Sequence, residues 1–271
     1  MQTCRQQALM EIAGYICACL IGLTMGLTGS GGSILTVPLL VYVFGIDPII
    51  ATAYSLFIVG TTSAVGTIRH SLAKNIAYKT ALIIAVPSFL SIYLTRRFII
   101  PQLPENFSFG AFTLPRHTFI MGLFAFVMFM VALSMLAVKK SDRQQEAKKI
   151  HPLLLLLFIG VVGVIMGLVG AGGGFMIMPM LIIFGGLTVK RAIGTSLFIV
   201  TLNSLTGFSG DINTTTINWP FLLTFTILSV FGIFVGTYLH KYVNEKQLKK
   251  GFALFILSMA LFIIAKEVYS L

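Results

Sequence analysis

Gly22-Leu23-Thr24-Met25-Gly26-Leu27-Thr28-Gly29-Ser30-Gly31-Gly32 returns 141 positions later as Gly163-Val164-Ile165-Met166-Gly167-Leu168-Val169-Gly170-Ala171-Gly172-Gly173. The match continues outward without a gap. Pro38 meets Pro179, Gly45 meets Gly186 and Gly66 meets Gly207, and Ser55-Leu56-Phe57-Ile58-Val59 recurs letter for letter as Ser196-Leu197-Phe198-Ile199-Val200. Between Gly22 and Gly66, 18 of the 45 aligned pairs are identical. Shared hydrophobicity does not produce such agreement, so the chain is a duplication.

The repeated strings lie in an unusually apolar chain. Of 271 residues, 57% are hydrophobic and 10% charged, against about 25% charged in a soluble domain. Too little polar surface is available to cover the molecule in water, so its outer solvent is lipid. Apolar stretches run over 8–29, 33–45, 49–69, 77–95, 118–138, 152–170, 174–186, 190–210, 220–240 and 250–267. Eight reach the ~20 helical residues that a crossing needs. The stretches 33–45 and 174–186 do not: thirteen residues span about 20 Å as a helix. Each follows a long stretch across a glycine cluster, the pattern of a helix that breaks inside the membrane and resumes as a half-helix.

The fold class expected is therefore an all-α integral membrane protein of two five-segment repeats, with eight full-length spans and two short segments. The first repeat takes 1–138, a cytoplasmic linker 139–151, and the second repeat 152–271. An odd number of segments per copy makes the second enter the membrane in the opposite sense, as inverted repeats of secondary transporters do. Basic residues agree. Threading the segments in order puts 14 of the 19 Lys and Arg residues on one side, including Arg69, Lys74, Lys79, the linker lysines, Lys190 and Arg191. That side is cytoplasmic, and both termini are external. Arg96 and Arg97 fall among the external charges. The stretch 1–8 leads directly into the first repeat and reads as part of the fold, without a cleaved leader. The loop from Ile99 to His117, with three prolines, reads as ordered but irregular.

The glycine clusters carry the chemistry. Non-helical backbone at membrane depth persists only inside protein or beside water, and glycine lets a ligand approach that backbone closely. A half-helix resuming after each cluster presents unpaired N–H groups and partial positive charge. Two such ends converging at the midplane suit a small anion. The candidate binding residues are Gly29, Ser30, Gly31, Gly32, Ser33, Gly170, Ala171, Gly172, Gly173 and Gly174, joined by Ser55, Ser196 and Asn203 near the repeated strings. Asn203 is the costliest of these to bury unpaired. Pro38 and Pro179 are candidate hinges, either kinking a short helix or occupying its first turn. The outer glycines Gly22, Gly26, Gly163 and Gly167 read as helix-packing residues.

Other chemistries lack their residues. The net charge of +11 comes without aromatic-basic interleaving for nucleic acid. Three cysteines, Cys4, Cys17 and Cys19, form no metal or disulfide pattern. No catalytic pair, metal-ligand spacing or nucleotide loop is present, and no cofactor or enzyme activity is expected.

The twin clusters with Pro38-Leu39-Leu40 and Pro179-Met180-Leu181, the twin Ser-Leu-Phe strings and the basic linker resemble the sulfite exporter TauE/SafE family over nearly the whole chain. The resemblance implies a permease in a bacterial inner membrane that exports or takes up a small oxyanion: sulfite, a sulfonate such as sulfoacetate, or a related acid. Rival readings are a passive anion channel using the same helix ends and a non-transporting membrane subunit. The expected partners are the anion, the bilayer and a second copy of the chain.

Overall fold

The computed structural model describes residues 2–29, 31–109, 112–137, 152–183, 185–212, 216–239 and 245–269. The linker 139–151 and Ser30 lie outside the described residues. In the first half, α1 (Gln2–Thr28) stops at Gly29, a 3-10 turn covers Gly31–Leu35, and α2 (Thr36–Tyr42) follows. Then come α3 (Pro48–Leu72) and α4 (Tyr78–Leu94), the latter continuing through a wide π turn at Thr95–Ile99 into α5 (Ile100–Gln102). α6 (Arg116–Ala137) closes the half. The second half repeats the order with α7 (Pro152–Val169), α8 (Gly174–Ile183), α9 (Val189–Asp211), α10 (Trp219–Leu239) and α11 (Glu245–Tyr269).

Five helices among the described residues are long and apolar enough to cross a membrane: α3, α4 with its extension to Gln102, α6, α9 and α10. The loop between α5 and α6 corrects an expectation. Residues expected to be irregular form an antiparallel hairpin, β1 (Asn106–Phe109) on β2 (Phe112–Pro115), with Asn106 opposite Pro115. The Arg116 N–H donates to Glu105 O at 2.8 Å, closing its base. Backbone pairing satisfies the loop's polar groups here, whatever its prolines suggest.

Packing explains which helices surround the site. α3 and α9 occupy the centre, each with 67% of its most apolar window buried, against 39% for α4 and α10. They run antiparallel, because Gly60 lies against Ser204, Gly66 against Leu197 and Gly207 against Leu56. Neighbouring helices obey the same exchange: α1 packs beside α10 as α7 packs beside α4, α10 packs on α3 as α4 does on α9, and α6 lies against α11. Even single bonds recur. Tyr54 Oη accepts from the Asn218 N–H at 2.7 Å, and Thr195 Oγ1, at the shifted position, accepts from the Ala77 N–H at 3.0 Å.

The outer glycines serve contact between helices. A Cβ on Gly22 or Gly26 would strike backbone of α10, and one on Gly232 or Gly236 would strike backbone of α1. Gly163 and Gly167 face the side chains of Ser91 on α4 and Thr95 in the π turn that continues it, each at 2.8 Å from an added Cβ. Close approach of helix backbones replaces the hydrophobic effect as the adhesive in lipid.

Candidate functional site

Each long helix ends on a glycine for a local reason. The N–H of Gly29 still bonds Met25 O at 2.8 Å and that of Gly170 bonds Met166 O at 2.9 Å. Both residues then adopt positive φ, +82° and +70°, the left-handed cap that side chains resist. In the second break Gly172 and Gly173 are also left-handed, at φ +65° and +84°. The N–H groups of Met176 and Ile177 return to Gly173 O, starting α8. Pro38 lies in the first turn of α2, where its missing N–H is harmless. Pro179 falls deeper in α8, past its first turn.

The structure divides the candidate residues among three places. Gly29 and Gly170 stand toward opposite ends of the α3/α9 pair. Gly29 lies against Ile193 and accepts a 3.3 Å hydrogen bond from Ser196 Oγ, which also bonds Ile193 O at 2.9 Å. Gly170 lies against Thr52, near the start of α3. Gly172 reaches the middle, against Ser204, Val59 and Val200. Val59 is seven residues beyond Thr52, a rise of roughly 10 Å. The 3-10 turn holding Gly31, Gly32 and Ser33 packs against α8, so the two half-helix starts meet. Gly32 is packed onto Ile21, Thr24 and Met25 of its own α1, and Gly173 onto Met166 of α7. Ala171, Ser33 and Gly174 are buried.

Around this level the interior is polar and unpaired. Ser55, Thr62 and Ser63 on α3 and Ser204 on α9 bury hydroxyls with no hydrogen-bond partner. Asn203 accepts from Ser88 Oγ of α4 at 2.9 Å through Oδ1, while its Nδ2 has no partner. Each buried group left so costs about 1–3 kcal/mol, a large penalty unless a polar ligand or water enters. No Asp or Glu stands on α3, or on α9 before Asp211. The available groups can donate hydrogen bonds, and no fixed negative charge opposes an anion.

Arg96 was missed in the sequence. It reads there as an external loop charge, yet its side chain is fully buried. The wide turn after α4 carries it inward while Arg97 stays exposed. Its Nη1 donates to Thr52 Oγ1 at 3.1 Å and pairs with Asp211 Oδ2 at 3.2 Å. The available signal was the apolar Phe98-Ile99-Ile100 that follows the two arginines, which continues the segment beyond them. At the same end of the bundle an open cavity of about 580 Å³ is lined by Phe44, Asp47, Tyr54, Asn218 and Phe221 among others. Asp47 there caps α3, accepting from the Ile49 N–H at 2.8 Å.

Comparison with known proteins gives this arrangement its setting. The family model described as "Sulfite exporter TauE/SafE" matches residues 15–263. The chain belongs to the sulfite exporter TauE/SafE family. A "Probable membrane transporter protein" of Xylella fastidiosa is 28% identical over 261 residues, covering 93% of this chain and 94% of its own. A protein of the same description from Haemophilus influenzae is 28% identical over 277 residues, covering 91% and 97%. "Probable membrane transporter protein YjnA" of Bacillus subtilis is 27% identical over 264 residues, covering 94% and 100%. No solved structure matches. The TauE/SafE match spans both glycine breaks and both central helices, so the chain is a multi-pass membrane protein of a transporter family. Among the described residues no cluster of His, Cys, Asp or Glu could hold a metal ion.

Proposed function

We propose that this protein is a secondary transporter for a small sulfur oxyanion, sulfite or an organosulfonate, bound at mid-depth where the two glycine breaks meet α3 and α9. The observation that carries the reading is the unpaired set at that level: Thr62, Ser63, Ser204 and Asn203 Nδ2, with left-handed Gly172 against Ser204. Such groups persist in a membrane interior where they line a polar path. The binding set expected from the sequence stands as part of this proposal, with Pro38 and Pro179 as hinges of the half-helices.

Antiparallel packing of α3 on its repeat partner α9 supports inverted repeats. A twofold relating antiparallel partners lies across the helices, hence in the membrane plane. The same packing brings Arg69, Lys74 and Lys79 to one end with Lys190 and Arg191, in keeping with a cytoplasmic face there and external termini in a bacterial inner membrane. Half-helices meeting at a common level would let one half rock against the other around the bound anion. A passive pore would need no such paired breaks to change sides.

Reconstituted protein tests this directly. Uptake of radiolabelled sulfite into proteoliposomes should saturate with concentration and be inhibited by sulfoacetate from the same side. Flux that rises linearly without saturation would refute carriage through a binding site.

A further inference from the structure

The Arg96 guanidinium has five N–H donors in a rigid plane, and only its Nη1 is engaged. Asp211 and Thr52 hold that nitrogen, while Nε and Nη2 are buried without any hydrogen-bond partner. These two nitrogens form the side edge of the guanidinium, the fork that takes two oxygens of one oxyanion in parallel. The edge is turned onto the second glycine break: a Cβ built on Gly170 would lie 2.5 Å from Nη2. Only glycine leaves room beside the nitrogen, and its left-handed backbone fixes the break at that point. Position 96 shifted by 141 is Thr237, and position 211 shifted back is His70. The equivalent positions of the other repeat therefore hold no Arg–Asp pair.

We propose that Arg96 forms a charged outer subsite for the anion, its Nε–Nη2 edge binding two substrate oxygens at the mouth of the Gly170 break, roughly 10 Å along α3 from the mid-depth level of Gly172. Thr52 and Asp211 are positioning residues: they grip Nη1 and aim the free edge at the glycine. This rests on the anion-transport reading above, and adds to it the residue that recognises charge and the end at which it does so. The observed edge is shut against Gly170, so the structure corresponds to a closed arrangement. Displacing α8 and its preceding glycines would open the edge to the substrate. A buried guanidinium with two unused donors is costly to maintain for structure alone, and the ion pair at Nη1 leaves Nε and Nη2 unsatisfied.

The test uses the full chain purified in detergent, with thermal stabilisation by sulfite, sulfoacetate or chloride as the readout. Wild-type protein should be stabilised by both oxyanions and at least tenfold more weakly by chloride, which offers a single atom to the fork. Arg96→Lys keeps the charge and loses the fork, and should weaken sulfite binding at least tenfold. Asp211→Asn loosens the grip on Nη1 and should weaken sulfite binding too, though less than Arg96→Lys does. Sulfite binding by Arg96→Lys within twofold of wild type would overturn the outer subsite while leaving the transport reading intact. Equal stabilisation of wild type by chloride and sulfite would overturn it too, and needs no variant to fold. No stabilisation of wild type by any of the three would overturn the transport reading itself, and the outer subsite with it.

Discussion

Replacing Gly172 by alanine separates the two roles that the second break combines. At φ +65° a side chain costs roughly 1–2 kcal/mol. The new Cβ would press on Ser204 Oγ and come within 3.2 Å of Val59 Cγ1 and 3.4 Å of Val200 Cγ1. The serine hydroxyl can rotate away and the valine contacts need only small shifts, adding up to about 1 kcal/mol. Gly172→Ala should thus lower stability by roughly 1–3 kcal/mol while the protein remains folded. Adding Ser204→Ala should recover the steric share and leave the backbone share. Denaturation in detergent with and without sulfite reads both effects. At one hundred times Kd a ligand stabilises by about 2.7 kcal/mol, and Gly172→Ala should lose most of that increment. A full increment in the variant would remove the anion from Gly172. A double variant no more stable than the single one would refute the local contact reasoning.

Gly22→Ala should destabilise by about 1–3 kcal/mol through overpacking against the α10 backbone. Gly122→Ala on α6, with nothing within 4 Å of its Cβ, should be neutral or stabilising by up to about 1 kcal/mol in the same melts. Ser196→Ala should cost about 1 kcal/mol by releasing Ile193 O and Gly29 O. Ser55→Ala should cost nothing without ligand, because its hydroxyl has no partner, but should weaken sulfite binding; binding assays on both variants distinguish them. Asp47→Ala removes the α3 cap and should lose about 1 kcal/mol, measured by denaturation.

The helix order was legible because membrane segments announce themselves by composition, and the duplication by eighteen identities in one block. The breaks were legible because glycine and chain length act locally: α8 begins at Gly174, where the short segment was expected to begin. What escaped the sequence depended on neighbours distant along the chain. Ser55 and Ser196 occupy equivalent positions, yet one hydroxyl is unpaired and the other ties α9 to Gly29. Arg96 and Arg97 are adjacent letters whose fates differ by a single wide helical turn. No local property sorts them; Asp211, 115 positions away, does. The strands 106–109 and 112–115 did carry a signal, since Phe107, Phe109, Phe112 and Thr113 are strand formers, but the three prolines around them outweighed it, and only their mutual pairing shows the register.

The glycine faces of α1 and α10 have a consequence for company. Gly22, Gly26, Gly232 and Gly236 spend their flat surfaces inside the molecule, so a second copy cannot dock by interlocking on them. The periphery instead offers large side chains such as Leu82, Leu90, Phe231 and Phe255, for which lipid tails are as good a neighbour as another protein. Any pairing of two copies through that surface would then follow the thickness and packing of the bilayer, and should change between short-chain and long-chain lipids at fixed protein density.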